Sequence, residues 1–240
     1  SIENVFRLID VAKESGASAV KIQTYTADTI TADAKSDDFI IKGGLWDGRS
    51  LYDLYSEASL PWEWHETIFD YAEKKDITIF SSPFDTTAVD FLENLNAPAY
   101  KIASFEAVDI PLIKYTASTK KPMIISTGMT ATNEIEEAVD AALSGGCKDL
   151  ILLHCVSSYP ALSIDYNLNT IQDMRSRYGL MVGLSDHTVD NTTAIASVAL
   201  GATVIEKHIT LNRNGGGPDD SFSLEPSDLK ELFKNPFNGY

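Results

Sequence analysis

Residues 122–156 have the sequence PMIISTGMTATNEIEEAVDAALSGGCKDLILLHCV, and this stretch decides the fold class. Two short apolar runs, Pro122–Gly128 and Leu150–Val156, flank a segment, Thr132–Leu143, that begins with threonine and carries two glutamates in its first turn. A helix N-terminus favours these residue types. Neither apolar run alternates cleanly with polar residues, which is typical of strands buried on both faces. A strand, a helix and a second strand in this order predict a βαβ unit with parallel strands.

The same alternation extends along the whole chain. Five more apolar runs are present: Ala19–Tyr25, Thr78–Phe84, Ala99–Ser104, Met181–Asp186 and Val204–Thr210. Helical segments lie before or between the runs: Ile2–Ser15, Pro61–Lys75, Thr86–Leu95 and Ala194–Leu200. Seven strands after an opening helix predict a TIM (β/α)8 barrel that lacks its first strand in this chain, and such barrels need roughly 250 residues. An open doubly wound sheet is the alternative that the same alternation permits.

The sequence contains no linker or low-complexity tract that would divide it. We therefore expect one barrel domain over residues 1–240. An irregular insert, Thr26–Leu60, follows the first predicted strand and contains several glycines. We expect this insert to form an ordered loop over one end of the barrel.

Composition excludes several classes of function. The chain has 35 acidic and 19 basic residues and a net charge of −16, which argues against binding to nucleic acid or to an anionic membrane. Its two cysteines, Cys147 and Cys155, are too few for a disulfide framework, so we expect a cytoplasmic protein. No apolar run reaches the ~20 residues that a membrane-spanning helix needs.

Polar side chains stand near the ends of all seven predicted strands. The carboxyl ends of barrel strands meet at one face, where the chemistry of this fold takes place. Lys21 and Lys101 lie within apolar strands, and a buried lysine is costly unless it is paired. A salt bridge to a barrel glutamate would explain either lysine alone. Two such lysines beside a ring of serine and threonine hydroxyls favour an anionic ligand with a phosphate group.

Two of the four histidines, His187 and His208, close the last two strands and should be neighbours in space. Together with Asp186 and Glu206 they favour a divalent-metal site, and a hydrogen-bonded histidine pair without metal is the alternative. The loop at Gly215–Gly217 is either a plain flexible loop or a hinge that brings Asp219 to the site. His154 and Cys155 lie beside this rim, and we interpret both as structural residues.

Taken together and in order, seven short motifs resemble those of the sialic acid synthase family, the phosphoenolpyruvate-dependent enzymes that make nonulosonic acids. The motifs are Lys21-Ile22-Gln23, Ser81-Ser82-Pro83-Phe84, Lys101-Ile102-Ala103-Ser104, Ser126-Thr127-Gly128-Met129, Gly183-Leu184-Ser185-Asp186-His187, Glu206-Lys207-His208 and Gly217-Pro218-Asp219. The resemblance covers almost the whole chain. Residues 39–48, FIIKGGLWDG, most resemble the pseudaminic acid synthase branch of the family.

The resemblance implies that phosphoenolpyruvate condenses with an N-acetylated amino-hexose aldehyde to give a nine-carbon 2-keto acid and phosphate. It implies a divalent metal, manganese or alternatively magnesium or cobalt, held by His187 and His208. Tyr159 and Asp219 would face the sugar, and Glu206 and Asp219 would be catalytic, with Glu206 orienting water or taking a proton. The residues implied to surround phosphoenolpyruvate are Lys21, Gln23, Ser82, Lys101, Ser104, Ser126, Ser157 and Ser185, although the sialic acid branch has asparagine in place of Ser157.

The family pattern also includes a first strand with a sugar-binding glutamate and a C-terminal antifreeze-like domain that reaches the partner subunit's active site. We find neither in this sequence, so we expect little or no synthase activity from these 240 residues alone. The resemblance implies a homodimer for the complete protein. Alternatives are an N-acetylneuraminate or legionaminate synthase, a metal-dependent aldolase, and a degenerate non-catalytic barrel.

Overall fold

The computed structural model describes residues 1–234. Its strands are β1 (Ala19–Thr24), β2 (Thr78–Pro83), β3 (Tyr100–Ile102), β4 (Met123–Ser126), β5 (Leu150–Cys155), β6 (Met181–Asp186) and β7 (Ile205–Lys207). Its α-helices are α1 (Ile2–Ser15), α2 (Ala27–Ile30), α3 (Leu51–Ala58), α4 (His65–Lys74), α5 (Thr86–Asn94), α6 (Ile110–Ser118), α7 (Thr132–Gly145), α8 (Thr170–Tyr178), α9 (Thr192–Ala199) and α10 (Pro226–Lys234). The strands form one sheet in sequence order, and every pairing is parallel.

The sheet curls until its two outermost strands face each other. Lys21 of β1 and Glu206 of β7 stand at opposite ends of the strand order, yet Lys21 Nζ lies 3.7 Å from Glu206 Oε1. In a flat sheet these strands would be roughly 29 Å apart, because neighbouring strands are spaced by about 4.8 Å. The predicted barrel arrangement is therefore confirmed. The consecutive strand order also excludes the doubly wound alternative, whose strand order reverses near its middle.

The strand register sends one set of side chains into the barrel and the alternate set outward. Gln23 pairs with Ser82, and Ser185 pairs with Glu206, so each pair shares the interior face. The outward residues form the main apolar core between sheet and helices. Its largest members on the strands are Tyr100, Ile102, Met123, Ile125 and Leu152, all of them fully buried. The polar interior is thus held by an apolar outer layer.

The strands and the five predicted helices follow the sequence predictions closely, and the described residues contain five further helices: α2, α3, α6, α8 and α10. The opening helix has the predicted bounds, Ile2–Ser15. Helices α6 and α8 complete the alternation at places where the sequence analysis named no helix. The predicted domain runs to residue 240, but residues 235–240 lie outside the described part. Among residues 1–234, no helix is both long and apolar enough to cross a membrane.

The insert after β1 is ordered, as predicted. It contains α2, a short 3-10 turn at Asp37–Phe39 and α3. Ser50 caps α3, because its side chain accepts a hydrogen bond from the backbone N–H of Asp53. The ion pair between Arg49 and Glu57, at 2.5 Å, ties the chain before α3 to the helix itself.

Gly183 allows β6 and β7 to approach closely, and Gly183→Ala is expected to lower the free energy of unfolding by about 1–3 kcal/mol. An added Cβ would collide with the backbone carbonyl of Val204 and lie 2.8 Å from Leu153 Cδ2. Gly44→Ala is the comparison for an open position, since its Cβ meets no atom within 4 Å and only its positive φ of 75° opposes the change. Urea unfolding of both variants checks this, and equal losses would contradict it.

Candidate active site

A cluster of two lysines, one glutamate and one serine occupies the barrel interior at the carboxyl ends of the strands. Glu206 Oε1 lies 3.2 Å from Lys101 Nζ and 3.7 Å from Lys21 Nζ, and it accepts a hydrogen bond of 3.1 Å from Ser185 Oγ. The side chain of Lys101 is 2% exposed and that of Glu206 is 18% exposed. The cluster carries two cations for one anion, so a net positive charge remains inside a strongly acidic protein.

The environment perturbs the protonation of this cluster. Burial acts to raise the pKa of Glu206, but the charges of Lys101 and Lys21 outweigh it and hold that pKa well below its ordinary range. Burial also lowers the pKa of Lys101, and Glu206 opposes that shift. Glu206 is consequently a poor proton acceptor. Its position suits it to hold the two lysine ammonium groups toward the interior.

Three buried serine hydroxyls at this end of the barrel have no hydrogen-bond partner. They are Ser82 Oγ, Ser126 Oγ and Ser157 Oγ. An unsatisfied buried hydroxyl costs roughly 1–3 kcal/mol, and native proteins rarely keep one without a reason. All three were predicted to contact phosphoenolpyruvate, and a ligand rich in acceptor oxygens would satisfy them.

Gly128 shapes the same wall. Its backbone N–H donates to Ser104 Oγ at 3.1 Å. A Cβ added at Gly128 would lie 2.5 Å from Ser157 Oγ and 3.0 Å from Cys155 Sγ. Any larger residue would therefore displace Ser157 or Ser104. Gln23 completes the ring from the β1 side, half-buried and next to Ser82 in register.

The two histidines are adjacent, as predicted, with ring centroids 5.4 Å apart. His187 Nδ1 lies 2.8 Å from the carbonyl oxygen of Val156, and His208 Nδ1 lies 3.5 Å from Asp219 Oδ2. These contacts leave Nε2 as the nitrogen available on each ring, which is how metal-binding histidines are usually oriented. Burial and the neighbouring His208 lower the pKa of His187 to about 4, so its ring is neutral at pH 7.

The donor set of this pair fits a divalent metal with open coordination positions. Neutral imidazole suits several divalent transition metals. Within residues 1–234, no group of three or more histidine, cysteine, aspartate or glutamate side chains could hold a metal ion. The two imidazoles would therefore be the side-chain ligands, and further ligands would come from water or substrate.

Aromatic rings and Asp219 line the side of the site beyond the histidines. The Tyr159 ring lies 4.4 Å from the ring of His187, and the Phe222 ring lies 5.2 Å from that of His208. Half of the Asp219 side chain is exposed. Burial acts to raise the pKa of Asp219, but contact with His208 outweighs it and lowers that pKa. Both residues predicted to face the sugar, Tyr159 and Asp219, thus lie beside the histidine pair.

Asp186 does not contribute to the metal site, which corrects the expectation that it supports the histidines. It follows the inward residue Ser185 and points to the opposite face, where it pairs with Lys207 at 2.8 Å. Lys207 also donates to the carbonyl oxygens of Thr188 and Asp190 at 2.9 and 2.7 Å. This buried pair fastens the ends of β6 and β7, which carry the two histidines.

The structural interpretation of two other rim residues fits the geometry. The ring of His154 points outward and its Nε2 bonds the carbonyl oxygen of Tyr166. Cys155 is 5% exposed and faces the interior beside Ser185 in register, where it packs close to Gly128.

Sequence reasoning missed two residues at the site. Glu106, one turn beyond Ser104, has an Oε2 atom that is buried without a hydrogen-bond partner. Burial is the main cause that raises the pKa of Glu106 to about 7. Trp46, in the insert, lies with its ring 6.0 Å from that of Tyr159. A carboxylate close behind a strand-end motif was a signal for Glu106, whereas no local signal placed Trp46 here.

The fold and the site define a parallel (β/α) barrel protein with two lysines around one glutamate in its interior and a histidine pair at the strand ends. The NeuB family matches residues 8–238, and the chain belongs to this family. A truncated 3-deoxy-D-arabino-heptulosonate 7-phosphate synthase from Thermotoga maritima superposes with a TM-score of 0.74 at 14% identity and covers 98% of this chain and 80% of its own, which shows a shared fold.

Several relatives are synthases of pseudaminic acid or of N-acetylneuraminic acid. A pseudaminic acid synthase from Helicobacter pylori is 46% identical over 220 residues, covering 92% of this chain and 65% of the relative. One from Campylobacter jejuni is 43% identical over 232 residues, covering 97% and 68%. The crystal structure of an N-acetylneuraminic acid synthetase from Leptospira borgpetersenii is 31% identical with a TM-score of 0.87, covering 97% of this chain and 76% of that one. The chain spans about two thirds of the length of the two pseudaminic acid synthases.

Proposed function

We propose that this chain is the barrel of a pseudaminic acid synthase, which condenses phosphoenolpyruvate with an N-acetylated amino-hexose aldehyde. The observation that carries the proposal is the set of three unpartnered buried hydroxyls beside Lys21 and Lys101. Phosphoenolpyruvate offers phosphate and carboxylate oxygens that accept hydrogen bonds from all five groups. The identity to pseudaminic acid synthases, 43–46%, exceeds the 39% to a diacetyllegionaminic acid synthase of Campylobacter jejuni.

In this proposal the two lysines and the three serines of the barrel interior hold phosphoenolpyruvate at reacting distance from the aldehyde. Lys21 and Lys101 neutralise the anion, and Ser82, Ser126 and Ser157 orient it. Ser185 Oγ donates to Glu206 and keeps that carboxylate turned toward the lysines. Fixing both substrates in one geometry supplies much of the rate of a two-substrate reaction.

A metal, which we propose to be manganese, would be held by His187 and His208. When bound, it would supply Lewis-acid polarisation of the aldehyde oxygen. Tyr159 and Asp219 flank the two histidines and would hold the sugar beside them.

The enol carbon of phosphoenolpyruvate forms a bond with the aldehyde carbon, and positive charge develops at the carbon that bears the phosphate. Water adds there and loses one proton, and the former aldehyde oxygen gains one to become a hydroxyl group. The added hydroxyl then loses its proton and becomes the keto group as the bond between that carbon and the phosphate oxygen breaks, and phosphate leaves. Glu106, which lies close enough to Lys101 to feel its charge, has a pKa of about 7 that suits it to accept the proton from water. Glu206 is held ionised by the lysines.

A single-turnover reaction tests the proposal, because excess chain makes even slow turnover measurable. The reaction contains manganese, the amino-sugar and phosphoenolpyruvate labelled with ¹⁸O at the bridging oxygen. We expect slow release of ¹⁸O-labelled phosphate and a product whose mass is that of the sugar plus pyruvic acid. A label retained in the pyruvate-derived part of the product would show P–O cleavage and contradict the proposal.

Glu106→Gln is expected to stabilise the protein at pH 8 more than at pH 5. The folded-state pKa of Glu106 is raised, so its contribution to stability is fully present below pH 4.5 and is lost as the pH rises through 7. Glutamine lacks this loss. Between pH 5 and pH 8, the free energy of unfolding of the variant should therefore rise relative to that of the parent by about 2 kcal/mol. Thermal unfolding across pH 4–9 checks it, with exposed Glu63→Gln as the control. A pH-independent difference would contradict the expectation.

We also propose a homodimer. Several large apolar side chains are exposed in loops that follow β3, β4 and β5, on the face that carries the site: Phe105, Val108, Met129, Leu162 and Ile164. Contiguous exposed apolar surface usually marks a contact with another molecule. Sedimentation equilibrium of the chain and of Phe105→Ser/Met129→Ser tests this, because a monomer in both cases contradicts it.

We propose the cytoplasm as the compartment of this protein, since both cysteines are buried free thiols.

A further inference from the structure

A hairpin in the insert reaches over the site. The backbone of Ile41 exchanges hydrogen bonds with Arg49 and Gly48, and Ile40 bridges Ser50. Three glycines with φ of 75–80° shape its turn: Gly43, Gly44 and Gly48. Within residues 42–48, every residue is exposed except Trp46, which is half-buried. The hairpin therefore projects a single large side chain toward the barrel.

Trp46 contacts both aromatic rings that stand beside the histidines. Its ring centroid lies 6.0 Å from that of Tyr159 and 6.4 Å from that of Phe222. Both distances are within the range of favourable aromatic pairs. Tyr159 and Phe222 are also in mutual contact, with centroids 5.1 Å apart. The three rings form one aromatic wall next to His187 and His208.

A hydrogen bond joins this wall to the loop that carries Asp219. Trp46 Nε1–H donates to the carbonyl oxygen of Pro218 at 3.2 Å, although 172 residues separate the two in sequence. Asp219 follows Pro218 directly and contacts His208. The hydrogen bond from Trp46 to Pro218 therefore holds the aromatic wall next to the Asp219 carboxylate.

We infer that Trp46 is a specificity-determining residue for the acceptor sugar, and this inference rests on the proposed function. With Tyr159 it forms an apolar subsite for the methyl group of an N-acetyl substituent, with the buried Phe222 packed behind the two rings, while Asp219 binds a sugar hydroxyl. An aldehyde held beside the two histidines would lie next to this wall. A methyl group gains by leaving water for aromatic surface, and a sugar without the methyl forfeits that gain.

Calorimetric titration in the presence of phosphoenolpyruvate and manganese tests the inference. The probes are the N-acetylated amino-hexose precursor of pseudaminic acid and its N-formyl analogue, which lacks only the methyl carbon. The wild-type chain should bind the N-acetyl sugar about fourfold more tightly than the N-formyl sugar, the value for burying one carbon. Trp46→Ala should weaken N-acetyl sugar binding about tenfold, abolish the preference and leave phosphoenolpyruvate affinity within twofold.

Two control variants show whether the effect of Trp46→Ala comes from the lost ring or from a rearranged hairpin. Trp46→Phe keeps an apolar ring and should retain most of the preference although it loses the N–H donor. Leu45→Ala, on the same hairpin and 49% exposed in the parent, should bind both sugars like the wild type. An unchanged preference in Trp46→Ala would overturn the role of Trp46 alone. A wild-type chain that binds phosphoenolpyruvate but neither sugar would overturn the proposed function and this inference together.

Discussion

Lys101→Met is expected to weaken phosphoenolpyruvate binding about 100-fold or more, as measured by calorimetric titration at fixed ionic strength. The Lys101 side chain is 2% exposed, so water cannot replace its charge. Removing one member of a buried charge pair typically costs about 2–5 kcal/mol, and a 100-fold loss is about 2.7 kcal/mol. Lys21 remains near Glu206, so residual binding is expected rather than complete loss.

Two further variants separate binding from folding. Lys101→Met/Glu206→Gln keeps Lys21 and gives the cluster the same net charge as in the parent, so weak phosphoenolpyruvate binding in this variant would show that contact with Lys101 itself is needed. Lys121→Met removes the same charge from the outer face, where Lys121 pairs with Glu93 at 2.6 Å. Its affinity should stay within twofold of the parent. Wild-type affinity in the double variant would show that Lys101 does not bind the ligand.

Lys207→Met is expected to lower the free energy of unfolding by about 3–5 kcal/mol, because Asp186 would be left buried and unpaired. The side chains of this ion pair are 3% and 0% exposed. Lys207 also satisfies the carbonyl oxygens of Thr188 and Asp190, which would lose their donor. Urea unfolding of the metal-free chain measures the loss.

Asp186→Leu/Lys207→Met is the matched test. It removes the unpaired buried charge and should restore part of that stability. The carbonyl oxygens of Thr188 and Asp190 and the N–H of Thr188 still lose their partners. Arg177→Ala breaks an exposed pair with Asp173 and should cost less than about 0.5 kcal/mol. A loss as small in Lys207→Met would mean that the ends of β6 and β7 do not depend on the buried pair.

The strand order was predictable because each strand of a barrel is a compact apolar run with its own local signal. Helix α8, nine residues long, gave a weaker signal. In α8 only Ile171 and Met174 are buried, so its sequence is mostly polar. Short helices with so few buried residues depend on tertiary packing rather than on a pattern that the sequence displays.

The strand-end residues were predictable for a related reason. Side chains alternate along a strand, so Lys21 and Gln23 must share a face, as must Ser185 and His187. The same alternation places Asp186 on the opposite face from Ser185, so the expectation that Asp186 supports the metal site did not follow the strand pattern. Contacts between distant loops carry no such signal. The hydrogen bond from Trp46 to Pro218 and the burial of Glu106 arise only when the insert and the strand-end loops have folded together.

Calorimetric titration with manganese, with and without phosphoenolpyruvate, most directly tests the central claim. That claim is that the histidine pair and the lysines and serines of the barrel interior form one site. The account predicts that manganese binds, that phosphoenolpyruvate strengthens its binding, and that His187→Ala/His208→Ala abolishes metal binding but leaves phosphoenolpyruvate binding to the lysines and serines. Manganese binding that survives in the double variant, or that is indifferent to phosphoenolpyruvate, would contradict a shared site at the strand ends.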